Sequence, residues 1–176
     1  MEIYFLRHAS AGQPKLNPAK DEKRPLDKQG TQQSHDVGRA LAALNIELDA
    51  IVSSPLVRAA QTASIVAREM GQEDKIVTDD ALRPDATYDK FEELLARYQG
   101  KEAIMVVGHN PSQSEFLNRL LTGGPASVIE LKKGAVARVE KDGRKPAVLK
   151  WCMPPKVVRC LQEAAASSSR PKTVSK

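Results

Sequence analysis

The sequence predicts an α/β protein, a three-layer α/β/α sandwich around a mostly parallel sheet. Short apolar runs alternate along the chain with longer segments whose apolar residues recur at helical spacing, which is typical of strands joined by helical crossovers. The strongest of these runs are continuously apolar, as expected for strands that are buried on both faces. With 176 residues, 41% of them hydrophobic, the chain is long enough for one domain with its own core.

Seven segments are predicted to be strands, because each is a short apolar run bounded by polar or turn residues. They are 3–6, 49–52, 76–77, 103–107, 128–131, 135–139 and 147–151. The run at 103–107 is the strongest and the one at 76–77 the weakest. Asp142-Gly143 predicts a hairpin turn between the last two strands.

Four segments are predicted to be helices from their apolar spacing. They are 30–44, 56–70, a helix that begins near 88, and 112–121. The third shows the clearest stripe, because its apolar residues recur at i, i+3, i+4 and i+7 from Phe91. Residues 17–28 are rich in charge and contain two prolines, so they are predicted to form a loop.

The C-terminal segment differs in charge from the rest of the chain. Segment 156–176 holds five basic residues and one acid, whereas residues 1–155 hold 22 basic and 21 acidic residues. We therefore expect a folded domain over 1–155 and a basic tail over 156–176, which begins as a short helix at 157–166 and is partly disordered from 167 onward. Because the net charge of +5 belongs mostly to the tail, it does not indicate a nucleic-acid partner.

Several classes of protein are excluded by composition. No apolar run approaches the ~18–20 residues of a membrane helix, and no basic region precedes the first strand as it does in a signal peptide. Cys152 and Cys160 cannot form a disulfide framework and have no nearby histidine with which to bind zinc. We therefore expect a cytoplasmic protein that needs no membrane, metal or cofactor.

Side chains able to bind phosphate follow three of the predicted strands. Arg7 and His8 follow the first strand, Arg58 lies in the first turn after the second, and His109 follows the strongest. Because ligands bind outside the carboxyl ends of parallel strands, these four side chains are expected to converge. Two guanidinium forks and two imidazoles suit a compact dianion such as a phosphoryl group.

These residue types favour phosphoryl transfer to a histidine. A neutral imidazole is a competent nucleophile toward phosphorus, and arginines can neutralise the charge of the transferring group without a metal. The sequence contains no Walker A loop, no Cys-x5-Arg loop and no tight carboxylate cluster for magnesium. A metal held by His8 and His109 is the alternative, but no third ligand has a suitable spacing. His35 is expected to lie on the surface.

Three motifs resemble the signatures of the histidine phosphatase superfamily, which includes the cofactor-dependent phosphoglycerate mutases. They are Leu6-Arg7-His8-Ala9, Ser53-Ser54-Pro55-Leu56-Val57-Arg58-Ala59-Ala60-Gln61-Thr62 and Val107-Gly108-His109-Asn110-Pro111. The resemblance implies a phosphoglycerate mutase-like fold. It also implies that His8 is the phosphorylated nucleophile, and that Arg7, Arg58 and His109 complete the phosphate pocket.

A fourth segment narrows the resemblance. Asp21-Glu22-Lys23-Arg24-Pro25-Leu26 is similar to the acidic-x-x-Arg-Pro-Leu segment of the small SixA-type phosphohistidine phosphatases, which implies that Arg24 lies near the pocket and binds substrate. Many superfamily members carry a general-acid Glu two residues after a Leu in mid-chain. The matching stretch here is Leu82-Arg83-Pro84, with proline at the acid position, and SixA-type proteins also lack that acid.

The missing acid suggests a substrate class. An alkoxide leaving group needs a proton in the transition state, whereas an imidazole, with a conjugate-acid pKa near ~6.5, departs without a strong acid. The leading prediction is therefore a metal-independent phosphohistidine phosphatase acting on a protein, for example a histidine-containing phosphotransfer domain. The alternatives are a phosphatase of small phosphorylated metabolites that uses Asp80 or Asp85 as acid, and a non-catalytic binder of phosphoproteins.

One residue departs from the superfamily pattern. Ala9 follows the predicted nucleophile where Gly is usual. If that position needs a positive φ or a close backbone approach, an alanine there is strained.

Overall fold

A six-stranded sheet runs through the described part of the chain, residues 1–143 and 145–168 of the computed structural model. Its strands are β1 (Glu2–Arg7), β2 (Ala50–Ser53), β3 (Ile76–Thr78), β4 (Ala103–Gly108), β5 (Val136–Glu140) and β6 (Val148–Met153). The spatial order is β3-β2-β4-β1-β5-β6. The first four strands pair in parallel, and β5 and β6 add an antiparallel edge beside β1.

Helices cover both faces of this sheet. They are α1 (Pro18–Glu22), α2 (Lys28–Ala43), α3 (Val57–Met70), α4 (Tyr88–Arg97), α5 (Ser112–Thr122) and α6 (Pro155–Ser168). Because successive strand residues point to opposite faces, Ile3 and Phe5 of β1 pack in the core cluster that contains α4 and α5 residues, while Tyr4 and Leu6 pack with α2 and α3. None of the described helices has both the length and the apolar character that a membrane span requires.

The predicted α/β sandwich with a mostly parallel sheet is confirmed. Six of the seven predicted strands and all four predicted helices are present, with bounds shifted by one or two residues. The loop prediction for 17–28 was incomplete, because this segment contains α1. The side chain of Asn17 accepts a hydrogen bond from Lys20 N, and Pro18 occupies the first turn, where its fixed φ is compatible with a helix.

The predicted strand at 128–131 was wrong. The backbone N–H groups of Val128 and Ile129 donate to Oδ1 of Asn118 at 3.0 and 2.8 Å, and that of Leu131 donates to Oγ of Ser114 at 3.0 Å. Side chains of α5 therefore satisfy the polar groups that a neighbouring strand would otherwise pair with. Leu131 is buried, as the apolar pattern indicated. It is buried in the core cluster that contains residues of α5, however, and not in a strand of the sheet.

The C-terminal helix is longer than the sequence predicted. α6 begins at Pro155 and continues to Ser168, so Ser167 and Ser168 are helical where disorder was expected. Val158 is buried in the core cluster on the α2 and α3 side of the sheet. The expected disorder from 169 onward concerns residues outside the described ranges, and the division into a domain (1–155) and a tail (156–176) stays a prediction.

Candidate active site

The carboxyl ends of three neighbouring strands bring the predicted site residues together. Arg7 at the end of β1 is level with Gly108 of β4, and the backbone N–H of His8 donates to Gly108 O at 3.0 Å. On the other side of β4, Ser54 N donates to Val107 O at 2.9 Å. The ring centroids of His8 and His109 consequently lie 4.9 Å apart.

The hydrogen bonding of His8 defines which of its nitrogens is basic. Nδ1 lies 2.8 Å from the carbonyl oxygen of Ala9, which can only accept, so Nδ1 carries the proton and the lone pair is on Nε2. In the described structure, Nε2 makes no hydrogen bond. The imidazole is only 6% exposed, and this burial, reinforced by the charges of Arg58 and Arg7, lowers its pKa to about 3.

His109 is held on one side and unpartnered on the other. Its Nε2 lies 2.9 Å from Oγ of Ser54, while its buried Nδ1 has no hydrogen-bond partner in the described structure. The hydroxyl of Ser54 also accepts from Leu56 N at 3.3 Å, so this side chain connects the imidazole of His109 to the residue before α3. Burial, the neighbouring His8 and the charge of Arg58 lower the pKa of His109 to about 2.

Each of the two predicted phosphate-binding arginines is fixed by a backbone carbonyl. Nη1 of Arg7 donates to Leu131 O at 2.7 Å, and the same carbonyl accepts from Nδ2 of Asn110 at 3.0 Å. Nη1 of Arg58 donates to Asp21 O at 2.9 Å. Burial lowers the pKa of both guanidinium groups, but from a value so high that they stay cationic. Both Nε atoms are buried and unpartnered in the described structure.

Arg24 lies beside Arg58, with one carboxylate between them. Nε of Arg24 donates to Oδ1 of Asp21 at 2.8 Å, and Oδ2 of Asp21 lies 3.3 Å from Nη1 of Arg58. Nη1 of Arg24 donates to Ala11 O at 2.6 Å, in the loop that follows His8. The hydrogen bond from Arg24 lowers the pKa of Asp21 to about 2, so this carboxyl group is ionised at neutral pH.

The two candidate acids are exposed and make no hydrogen bond to His8 or His109 in the described structure. Asp80 is exposed, and its Oδ1 is 2.6 Å from Nε of Arg83; Asp85 is also exposed. Among the described residues, no carboxylate hydrogen-bonds His8 or His109, and no group of three His, Cys, Asp or Glu side chains could hold a metal ion.

Ala9 fits its position without strain. Among the described non-glycine residues, only Asn45 has a positive φ, so Ala9 does not need the conformational freedom of glycine. The N–H of Ala9 donates to Oγ1 of Thr62 at 3.1 Å, and Oγ1 of Thr62 donates to Arg58 O at 2.7 Å. Thr62 therefore connects the His8 loop to the helix that carries Arg58.

Sequence reasoning gave no role to Thr62 or Ser54, although both stand in the second motif. Both hydroxyls are buried, and Thr62 stands four residues after Arg58, a spacing that places two side chains on one helix face and could have identified it.

The start of α2 supports the loop after His8. Oγ of Ser10 donates to Oδ2 of Asp27 at 2.7 Å, and the same Asp27 caps α2 by accepting from Gly30 N at 2.7 Å. A Cβ at Gly30 would lie 1.9 Å from Ser10 O, so only glycine allows the helix to approach this closely. The sequence analysis had treated Gly30 simply as a helix start.

Comparisons with known proteins agree with this geometry. The sequence model of the histidine phosphatase superfamily (branch 1) matches residues 3–84. An uncharacterized protein of Picosynechococcus sp. is 31% identical over 139 residues, which cover 77% of this chain and 82% of that protein. The phosphohistidine phosphatase SixA of Escherichia coli (strain K12) is 24% identical over 161 residues, or 88% of this chain and 94% of that one.

A solved structure shares the fold. The protein histidine phosphatase SixA complexed with tungstate superposes with a TM-score of 0.78 at 23% identity, covering 89% of this chain and 98% of that chain. The fold and the convergent arginines and histidines therefore define an α/β phosphatase. The chain belongs to the histidine phosphatase superfamily, as its three motifs predicted.

Proposed function

We propose that the protein is a metal-independent phosphohistidine phosphatase that acts on a phosphorylated protein, with His8 as its nucleophile. The observation that carries this proposal is a pair of neutral imidazoles, 4.9 Å apart, between two anchored arginines. The unpartnered Nδ1 of His109 supports it, because a buried polar atom without a partner is costly unless a ligand completes it. The similarity to the Escherichia coli SixA supports the substrate class.

In the first step, the lone pair on Nε2 of His8 attacks the phosphorus of the substrate phosphohistidine. The other ring nitrogen of the substrate histidine carries a proton from solvent, so when the P–N bond breaks, the departing nitrogen keeps the bonding pair and leaves as a neutral imidazole. Arg7 and Arg58 donate to the equatorial oxygens, where charge develops, and His109 does so in the tautomer that carries its proton on the buried, unpartnered Nδ1. Because the pKa of His8 is about 3, its lone pair is available throughout the neutral range.

In the second step, water attacks the phosphorus of phospho-His8. The P–Nε2 bond breaks and its electron pair returns to the imidazole, while one proton of the water goes to solvent. Inorganic phosphate leaves, and His8 is neutral and ready for another cycle.

The carboxylates near the pocket are poor proton donors, which suits the hydrolysis of a phosphoramidate better than that of an alkyl phosphate. An imidazole leaving group has a conjugate-acid pKa near ~6.5 and needs no strong acid, whereas an alkoxide must be protonated as it leaves. Asp21 is a poor proton donor, because its pKa is about 2. Asp80 is paired with Arg83.

The test measures hydrolysis of a phosphohistidine-bearing protein and of p-nitrophenyl phosphate, both in EDTA. We expect kcat/KM for the phosphohistidine protein to exceed that for the aryl ester by at least ~100-fold, because a protein offers binding interactions that the small ester lacks. Replacing the nucleophile in His8→Ala or His8→Asn should reduce kcat by at least ~1,000-fold. His35→Ala, which changes a half-exposed histidine on α2, is the matched control and should retain wild-type rates.

Three results would contradict the proposal. A preference for the aryl ester would favour a phosphatase of small phosphorylated metabolites. Loss of activity in EDTA would indicate a metal at the two histidines, and binding of the phosphoprotein without turnover would indicate a non-catalytic binder. An acid-labile phosphate trapped on the wild type but absent from folded His8→Asn would identify the intermediate directly.

A further inference from the structure

A groove between the starts of α2 and α6 forms a surface that the proposed chemistry does not use. We call it the α2–α6 groove; it has a volume of about 680 Å³. Its lining includes Lys28, Gln29, Gln33, Asp36, Lys156 and Arg159.

The groove carries positive charge that is not neutralised by the described residues. Lys28 and Lys156 are exposed, and neither makes an ion pair in the described structure. Arg159 lies 3.6 Å from Glu163, but both side chains are well exposed, so this pair contributes little. The one acid of the lining, Asp36, already binds Nη2 of Arg39 at 2.6 Å.

Lys28 and Lys156 occupy positions that do not stabilise their own helices. Each lies in the first turn of its helix, where the helix dipole favours acids over cations. Neither α2 nor α6 has an acid in its first turn. The two lysines are therefore not explained by the stability of their own helices.

The groove begins beside the loop that carries His8. Oε1 of Gln33, in the groove lining, accepts a hydrogen bond from Ser10 N at 3.0 Å. Ser10 is two residues from His8, and its carbonyl is the atom against which Gly30 of α2 packs. A macromolecule whose phosphohistidine enters the pocket would therefore have neighbouring residues within reach of the groove.

We propose that the α2–α6 groove binds an acidic segment of the phosphohistidine-bearing substrate protein. The inference rests on the proposed function and names the chemistry of its partner: carboxylates placed to meet Lys28, Lys156 and Arg159. The lining also includes the amides of Gln29 and Gln32, which can hydrogen-bond the backbone of such a segment. Such complementarity raises the rate of encounter and is screened by salt.

The test uses two synthetic phosphohistidine peptides, one flanked by Asp and Glu and the other by Asn and Gln at the same positions. At low ionic strength we expect the wild type to prefer the acidic peptide by about 10-fold in kcat/KM, mainly through a lower KM. The preference should shrink in about 0.5 M salt, because salt screens the electrostatic attraction. The double variant Lys28→Glu/Lys156→Glu should abolish or reverse the preference. Both substitutions place an acid in a first helical turn, so the helices should be stabilised.

The matched control is the double charge reversal Lys101→Glu/Lys145→Glu. Lys101 precedes β4, and Lys145 lies in the turn whose Lys141 N bonds Met1 O, so both lie at the opposite end of the sheet. This control should keep the preference, and turnover of p-nitrophenyl phosphate by every variant verifies that the pocket is intact.

The outcomes separate the two proposals. If the wild type hydrolyses both peptides equally, or if the Lys28/Lys156 variant keeps the preference, the groove proposal is overturned while the phosphohistidine activity stands. If the wild type hydrolyses p-nitrophenyl phosphate but neither peptide, the proposed function fails, and the groove proposal fails with it.

Discussion

The parallel and antiparallel halves of the sheet differ in the burial of their strands and in the polar residues that follow them. β2 and β4 are buried at every position, as is the middle of β1, and these three strands are followed by Ser54, His109 and His8. The antiparallel edge strand β6 is exposed or half-buried along its length, and a surface ion pair joins Lys150 to Glu140 of β5. The polar groups of the site are therefore presented where buried strands end together.

The comparison shows that a buried, unpartnered arginine nitrogen does not by itself identify the candidate site. What identifies the site is that arginines and histidines lie close together. Arg138 on β5 is ion-paired with Glu2 and has a buried, unpartnered Nε, as does Arg58. Arg138, however, lies over the ring of Tyr4 at 5.9 Å. At the parallel edge, by contrast, the charges of Arg7 and Arg58 act on the two adjacent imidazoles of His8 and His109.

The largest difference between the two halves of the sheet is expected when one arginine is removed from each of them in turn. Arg58→Ala should lower kcat/KM by about 10²–10³-fold, because a fixed cationic donor to the transferring group is lost. Arg138→Ala removes an ion pair at the other half and should change kcat/KM by less than about 3-fold, since pairs of this exposure contribute little. Steady-state kinetics on one substrate tests both. Similar losses in the two variants would contradict the assignment of the pocket to the parallel edge.

A smaller effect is expected where α2 meets the His8 loop. Gly30→Ala would place a methyl group 1.9 Å from the carbonyl of Ser10. Backbone cannot yield as a flexible side chain does, so we expect a cost of about 1–3 kcal/mol and a fall in Tm of roughly 2–12 °C. Gly124→Ala is the control, because its added methyl group meets nothing within 4 Å. Thermal denaturation showing equal Tm values for the two variants would disprove this tight packing.

The smallest expected effect is a gradual dependence of the free energy of unfolding on pH. The pKa values of His8 and His109 are about 3 and about 2 in the folded protein, against about 6.5 in the unfolded chain. Between these values the unfolded chain binds protons that the folded chain does not. The free energy of unfolding should therefore fall as the pH drops below ~6.5, by up to ~1.4 kcal/mol per pH unit for each histidine.

Urea denaturation between pH 7 and pH 5 measures this slope. His109→Gln should reduce the slope by up to about half, since one of the two buried neutral imidazoles is gone. Gly124→Ala adds a methyl group that meets nothing within 4 Å and is the control, which should leave the slope unchanged. A wild-type stability that stays constant down to pH 5 would show that the imidazoles are not held neutral by burial.

The sequence predicted most of the fold and that the residues of the candidate site lie close together. Continuous apolar runs identified β1, β2 and β4, and the residues after them, His8 and His109, lie together as strand adjacency requires. Local patterns could not predict the supporting contacts, because these join distant segments. Asp21 lies against Arg58 across 37 positions, and Thr62 lies against Ala9 across 53. The error at 128–131 has the same origin, since Asn118 replaces a strand as hydrogen-bond partner.

The carbonyl group that orients Arg7 lies outside the three sequence motifs. The three motifs end at Pro111, but the carbonyl that orients the Arg7 guanidinium belongs to Leu131. That carbonyl is held in turn by the N–H of Leu131 on Ser114 and by the neighbouring residues on Asn118. A fragment cut after α5 would contain every motif residue and still lack the group that aims one of its two arginines.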